Sequence, residues 1–182
     1  VVPSCPGNGS TLLQMPSWSW SAGVQSPVSR QGHVGEVLLV DNSSKIVLFG
    51  GSDERDEEGD ILAHDSSGSL LVYDPTRAWT TVTLPHAGPG WRLHAASFGH
   101  ETRLFVHGGH NGSAVGDMWH AGVANTSEAA WGLCSTTGGS AAPAGRYGHS
   151  FLRCPGGDSL SSVALAFGGL GVGLDSAVYV AN

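Results

Sequence analysis

Three phrases constrain this chain more than anything else in it. KIVLFGG at 45–51 returns as RLFVHGG at 103–109 and as VALAFGG at 163–169. The Gly-Gly pairs (Gly50-Gly51, Gly108-Gly109, Gly168-Gly169) are about 60 residues apart, a spacing on the scale of blade-type repeats. Upstream of each stands a histidine: His33 in SRQGHVGEV, His94 in GWRLHAASF and His149 in GRYGHSFL. Downstream of the first two lies an aromatic strand and then a tryptophan, Trp79 or Trp131. The third unit reaches SAVYVAN before its tryptophan, and WSW at 18–20 reads as the closing strand of a unit whose earlier part is absent.

Each unit divides into four short strands, in the first unit roughly 33–40, 45–50, 69–74 and 78–84. EVLLV, KIVLF and SLLVY carry the branched and aromatic residues that strands favour. DNSSK, a long acidic loop and DPTR separate them. The apolar runs are close to continuous, as in strands covered on both faces. Composition agrees. With 28 glycines and only 13% charged residues, the chain suits many tight turns rather than long helical faces.

The pattern resembles the kelch repeat. The resemblance rests on Arg30 to His33 (R-x-G-H), Arg146 to His149 (R-Y-G-H), the Gly-Gly pairs and the spaced Tyr73 and Trp79, and it covers about residues 18–182. The second unit departs from it, with Trp91 where the arginine belongs, Arg92 displaced by one, and Trp119 in the tyrosine's place. The resemblance implies an all-β, partial kelch-type β-propeller of four-stranded antiparallel blades. Its parts are a closing strand at 18–24, blades at about 29–84 and 91–133, and an incomplete blade at about 146–182. Arg30, His33, His94, Arg146 and His149 then tie strand to strand. Gly50, Gly51, Gly108, Gly109, Gly168 and Gly169 admit neighbouring backbone. Tyr73, Trp119 and Tyr179 stand at the repeat's aromatic strand position, and the tryptophans Trp79 and Trp131 supply apolar plates between blades. Residues 1–17, rich in Pro, Gly and Ser, read as a linker or strap.

A propeller closes with about four to eight blades. Three units and a strand leave two flanks uncovered, so missing chain, further copies or partners are expected to complete the ring. The start VVPSCPGNGS carries no charged leader, so either a signal peptide has been removed or the chain begins inside a longer protein.

Four acceptor motifs for N-linked glycans occur, at Asn8, Asn42, Asn111 and Asn125, and each falls in a predicted linker or turn. Asn-Gly-Ser and Asn-Ser-Ser are also good turn sequences in their own right. Glycans on them imply an extracellular or cell-surface protein. Of three cysteines, Cys134 and Cys154 form a candidate pair, but the propeller path puts them at opposite ends of a strand, beyond disulfide reach. Cys5 is left to a partner elsewhere.

The acidic run SDERDEEGD offers Asp53, Asp56, Glu57, Glu58 and Asp60 as oxygen ligands for a cation, in a spacing that matches no EF-hand loop. A solvated insertion accounts for it equally. His107 and His110 flank a Gly-Gly pair and provide two nitrogens without a third ligand. No cofactor is expected.

The net charge of -7, with Lys45 the only lysine, argues against nucleic acid. No apolar run approaches the roughly 20 residues of a membrane span. No nucleophile elbow, P-loop or paired carboxylates stand out. The expected function is therefore a non-enzymatic interaction or scaffold module of a secreted or surface glycoprotein, binding other protein chains or copies of itself. Its contacts are expected on the face of the longer loops 51–68, 85–91, 109–115 and 134–145, opposite the hairpin turns with Asn42 and Asn125. The alternatives are an intracellular kelch adaptor, or a copper-oxidase-like enzyme whose tyrosine–cysteine site lies in absent blades.

Overall fold

The structure is a computed structural model that describes residues 25–27, 30–52, 68–84, 88–125, 129–135, 143–155, 162–171 and 178–181. Among them are strands and turns and no helix. The 1–24 segment with Asn8 and Cys5, the acidic run 53–60 and most of the longer loops lie outside the described residues.

The first sheet is a meander of β1 (Gln31–Val40), β2 (Ser43–Ser52), β3 (Leu70–Asp74) and β4 (Ala78–Val82), all antiparallel neighbours. The second repeats it with β5 (Ala96–His100), β6 (Arg103–His107), β7 (Met118–Gly122) and β8 (Ala130–Leu133). In the third unit, β9 (Arg146–Tyr147) pairs with β12 (Leu170–Gly171), while β10 (Ser150–Pro155), β11 (Ser162–Phe167) and β13 (Val178–Ala181) form a three-stranded antiparallel sheet.

The first hairpin is longer than the sequence suggested. Val40 pairs directly with Ser43, so the turn is only Asp41-Asn42. Both residues have positive φ, 51° and 58°, the signature of a type I′ turn, whose twist matches that of the strands. Asp and Asn tolerate this region better than other side chains. Lys45, whose side chain is 7% exposed, clamps the turn with its Nζ 2.8 Å from Asp41 and 3.4 Å from Asp74 at the β3–β4 turn.

The sheets stack through two apolar layers. Val34, Leu38, Val47, Phe49, Leu70 and Val72 of the first sheet meet Leu104, Val106, Ala121 and Trp131 of the second. Phe98, Phe105 and Met118 on the second sheet's other face meet Phe151, Ala164 and Ala166 of the third. Each Val or Leu buried here is worth roughly 1.5–3 kcal/mol. Among the described residues, the middle sheet is the one packed against a sheet on both faces. In β1, Val34, Leu38 and Val40 are buried, but Val37 is 66% and Leu39 49% exposed. The continuous apolar run of β1 thus behaves as an alternating strand, although Leu71, on the same face of the sheet as Val37 and Leu39, is 4% exposed.

Candidate functional site

β5 neighbours both β1 and β10. One bond recurs in every unit: Arg30 Nη1 donates to Gly50 O (2.8 Å), Arg92 Nη1 to Gly108 O (2.9 Å) and Arg146 Nη1 to Gly168 O (3.2 Å). The displaced Arg92 therefore does the same work as its counterparts. A second pair of bonds joins successive units. Gly51 N–H donates to Arg92 O (3.1 Å), and Gly109 N–H to Arg146 O (2.8 Å). A third pair runs between the residues two positions after each arginine: His94 N–H donates to Gly32 O and Gly148 N–H to His94 O, both at 2.8 Å.

These contacts explain the first glycine of each pair. A Cβ on Gly50 would stand 2.7 Å from the Arg92 carbonyl oxygen, and one on Gly108 2.5 Å from that of Arg146. Both also hold φ near +70°, at 71° and 65°, where L side chains are strained.

The register corrects two sequence assignments. His94 (φ 51°) occupies the place of Gly32 (φ 68°) and Gly148 (φ 62°), and Ala95 occupies that of His33 and His149. The second glycines agree, since Gly51, Gly109 and Gly169 face the Cβ atoms of His33, Ala95 and His149. The second unit thus has no histidine at the repeat's histidine position. Nor does Trp119 replace Tyr73. Trp119 pairs with Val106, two residues before Gly108, whereas Tyr73 pairs with Ile46, four before Gly50. Ala121 holds the tyrosine's place, and the register of Tyr179, opposite Ala166, matches Trp119. Trp79 opposite Tyr73 and Trp131 opposite Ala121 are true equivalents. Trp131 is the plate between sheets that the repeat implied. It meets Phe49 edge-on at 4.9 Å, and its Nε1 donates to Gly68 O of the first unit (2.7 Å).

Around Gly108 lies a charged network that the sequence did not disclose. Arg92 is 1% exposed. Its guanidinium forks onto Asp117, with Nη1 at 2.7 Å from Oδ1 and Nη2 at 3.2 Å from Oδ2, and it also donates to the Pro89 carbonyl. Trp119 Nε1 donates to Asp117 Oδ2 at 2.7 Å. Burial alone would raise the Asp117 carboxyl, but the Arg92 and Trp119 bonds and the Arg92 charge hold it below the usual range.

His107 is also reassigned. Its Nδ1 lies 2.8 Å from His149 Nε2 with the rings edge-to-face, while His110 packs instead on Tyr147 at 5.1 Å. His107 is 3% and His149 8% exposed. Burial is the main reason both are depressed to about 4, with Arg146 adding to it in each and His107 also acting on His149. With both rings neutral, one N–H bridges the contact and the facing nitrogen accepts it. A second would set two N–H groups against each other. Because the unfolded chain takes up protons near pH 6.5 and the folded one only near 4, stability rises with pH through that window and is lost as pH falls. For His107 alone the depression corresponds to ~3 kcal/mol. Thermal unfolding should therefore drop steeply between pH 6.5 and 4, and a Tm flat across that range would refute the buried neutral pair.

Among the described residues no three metal-binding side chains converge. Cys134 is a free thiol, its Sγ 3.6 Å from His120 Nδ1, and burial raises its pKa. No helix among the described residues is long and apolar enough to cross a membrane. Of the sequons, Asn42 and Asn111 are exposed and Asn125 is half-buried. Asn42 and Asn125 share a rim, because the residues preceding them are joined by the Asp41 N–H to Ala124 O bond (2.9 Å). Arg92 and Asp117 bind each other, and Arg92 and Arg146 bind main-chain carbonyls, which fixes sheet to sheet, while Arg92 Nε, His107 Nε2 and His149 Nδ1 are buried without a hydrogen-bond partner among the described residues. No family model and no curated protein matches the chain.

Proposed function

We propose that the chain is an arc of a kelch-like β-propeller serving as a non-enzymatic interaction or scaffold module in a secreted or cell-surface glycoprotein. The observation that carries this reading is the pair of identical junctions. The first sheet meets the second through Gly51–Arg92 and Gly32–His94, and the second meets the third through Gly109–Arg146 and His94–Gly148. Two successive steps with the same bonds describe one repeated rotation, which is how blades are set around an axis. The arginines are consumed in holding these junctions, which leaves rims and loops to bind partners on a rigid frame.

The extracellular half of the proposal rests on the sequons at Asn42 and Asn111, which are exposed as a glycan requires, and on Asn125 beside Asn42 on one rim. The test is to express the chain through a secretory pathway and measure its intact mass before and after enzymatic removal of N-glycans. A loss of mass that shrinks stepwise in Asn42→Gln and Asn111→Gln is expected. An unchanged mass equal to the 18.7 kDa of the bare chain would refute the glycoprotein reading.

A further inference from the structure

The loop after the second Gly-Gly pair is a small closed turn with an asparagine at its tip. His110 bridges to Ala114, Val115 N–H donates to Gly109 O (3.0 Å) and Asn111 N–H to Ser113 O (3.1 Å). Asn111, Gly112 and Ser113 are exposed. Gly112 has φ 101°, and nothing lies within 4 Å of a Cβ built on it. The bonds that close the loop leave out the Gly112 N–H. The main-chain nitrogen of Gly112 and the side-chain carbonyl carbon of Asn111 are therefore chain neighbours at the surface, and Gly112 has no side chain to screen its nitrogen. The other acceptor asparagines are built differently. Asn42 precedes Ser43, which pairs with Val40 to close its hairpin. Asn125 precedes Thr126, a residue whose branched side chain crowds its own main-chain nitrogen. Asn8-Gly9 shares the dipeptide but lies outside the described residues.

We infer that Asn111 is a self-modifying site, at which succinimide formation and glycosylation compete for the same side-chain amide. In the unglycosylated chain the Gly112 nitrogen, having lost its proton to solvent, attacks Asn111 Cγ. The new N–Cγ bond closes a five-membered ring. The Cγ–Nδ2 bond breaks, and the amide nitrogen takes up a proton and leaves as ammonia. Water then opens the ring. Attack at Cγ restores the main chain and leaves aspartate. Attack at the main-chain carbonyl carbon gives isoaspartate, whose main chain runs through Cβ and Cγ. No oxidant or cofactor is needed, and either product carries a carboxylate that asparagine lacks. A glycan on Nδ2 substitutes the leaving nitrogen and covers Cγ, so it blocks the first step. The product matters because of where it falls. The new charge sits beside His110, whose ring packs on Tyr147 at 5.1 Å, and isoaspartate adds a main-chain atom to a loop closed within seven residues, Gly109 to Val115. Loss of the glycan thus becomes a permanent change in the shape and charge of one of the loops expected to meet partners. The competition rests on the glycoprotein part of the proposed function; the ring closure does not.

The test follows the 182-residue chain, made without glycosylation, through incubation at mildly alkaline pH. Cleavage after Arg103 and Arg146 releases the peptide 104–146, and fragmentation separates Asn111 from Asn125 within it. Asn111 is expected to gain the mass that distinguishes a carboxyl from an amide, as two chromatographic isomers, about tenfold faster or more than Asn42 and Asn125. Gly112→Ala should slow that conversion by about tenfold while leaving the circular dichroism unchanged, because the open space takes the new methyl and the methyl screens the nitrogen. Conversion of Asn111 no faster than that of Asn42, or undiminished in Gly112→Ala, overturns the inference. The competition is read in chain expressed through a secretory pathway, with the glycopeptide measured intact because enzymatic release would itself leave aspartate. Wild-type Asn111 should stay unconverted, and Ser113→Ala, which removes the acceptor motif and keeps Asn-Gly, should convert. Conversion of glycan-bearing Asn111 at the rate of Ser113→Ala overturns the competition. A secreted wild type that lacks the glycan and converts shows failure of the glycoprotein reading at this site and of the competition with it, with the ring closure upheld, so the two failures are told apart.

Discussion

Gly108→Ala is expected to lower the free energy of unfolding by about 4 kcal/mol. Two costs add. Left-handed backbone costs a non-glycine residue about 1–2 kcal/mol, and forcing an extra carbon into a filled site about 1–3 kcal/mol. The second cost falls at the high end here. The new Cβ meets the Arg146 carbonyl oxygen at 2.5 Å and His149 Cε1 at 2.8 Å, and both are held by other bonds. Gly148→Ala is the control. Its φ of 62° is nearly that of Gly108, but the space around it is open, so it should show only the first cost. Urea denaturation of the two variants separates strain from collision. Equal losses would mean that the junction between the second and third units is not as tight as described.

Trp131→Ala should cost about 3–5 kcal/mol, the usual range for removing a large buried aromatic side chain. The ring is 6% exposed and lies between two sheets, so its removal opens a cavity that neither sheet can fill alone. The cost also includes the edge-on contact with Phe49 and the bond to Gly68 O, which would leave that carbonyl without this donor. Trp131→Phe keeps most of the apolar volume and loses the bond, for about 1–2 kcal/mol. Chemical denaturation that ranks the alanine variant no worse than the phenylalanine one would contradict this packing.

The repeat was readable because its letters report backbone constraints. Gly50 and Gly108 are glycine for want of space, and that requirement shows in sequence at once. The all-β class and the two four-stranded meanders followed from the same rhythm of apolar runs and turns. What misled was identity without register. His94 shares its residue type, and Trp119 its aromatic character, with the presumed counterparts, yet the second unit has Ala95 and Ala121 at those places. Its first hairpin turns at Glu101-Thr102 rather than at Asp41-Asn42, and no spacing rule announces where a ladder starts. The His107–His149 pair and the Arg92–Asp117 fork were hidden for a different reason. They join positions 42 and 25 residues apart, brought together only by stacking and chain reversal.

The arginine locks have an evolutionary corollary. Each arginine's side chain is received by a glycine carbonyl, and each linking glycine N–H is received by an arginine's own main-chain carbonyl. Every acceptor is therefore an atom that any residue possesses. Selection needs to hold only an arginine and two glycines per unit, and the remaining letters are free to drift so long as they stay apolar where layers meet. Duplicating a unit copies a complete set of couplings with no compensating change in its neighbours. A lineage using such a joint can lengthen, shorten or diversify its repeats quickly, and its members can lose recognisable kinship in sequence long before they lose their common shape.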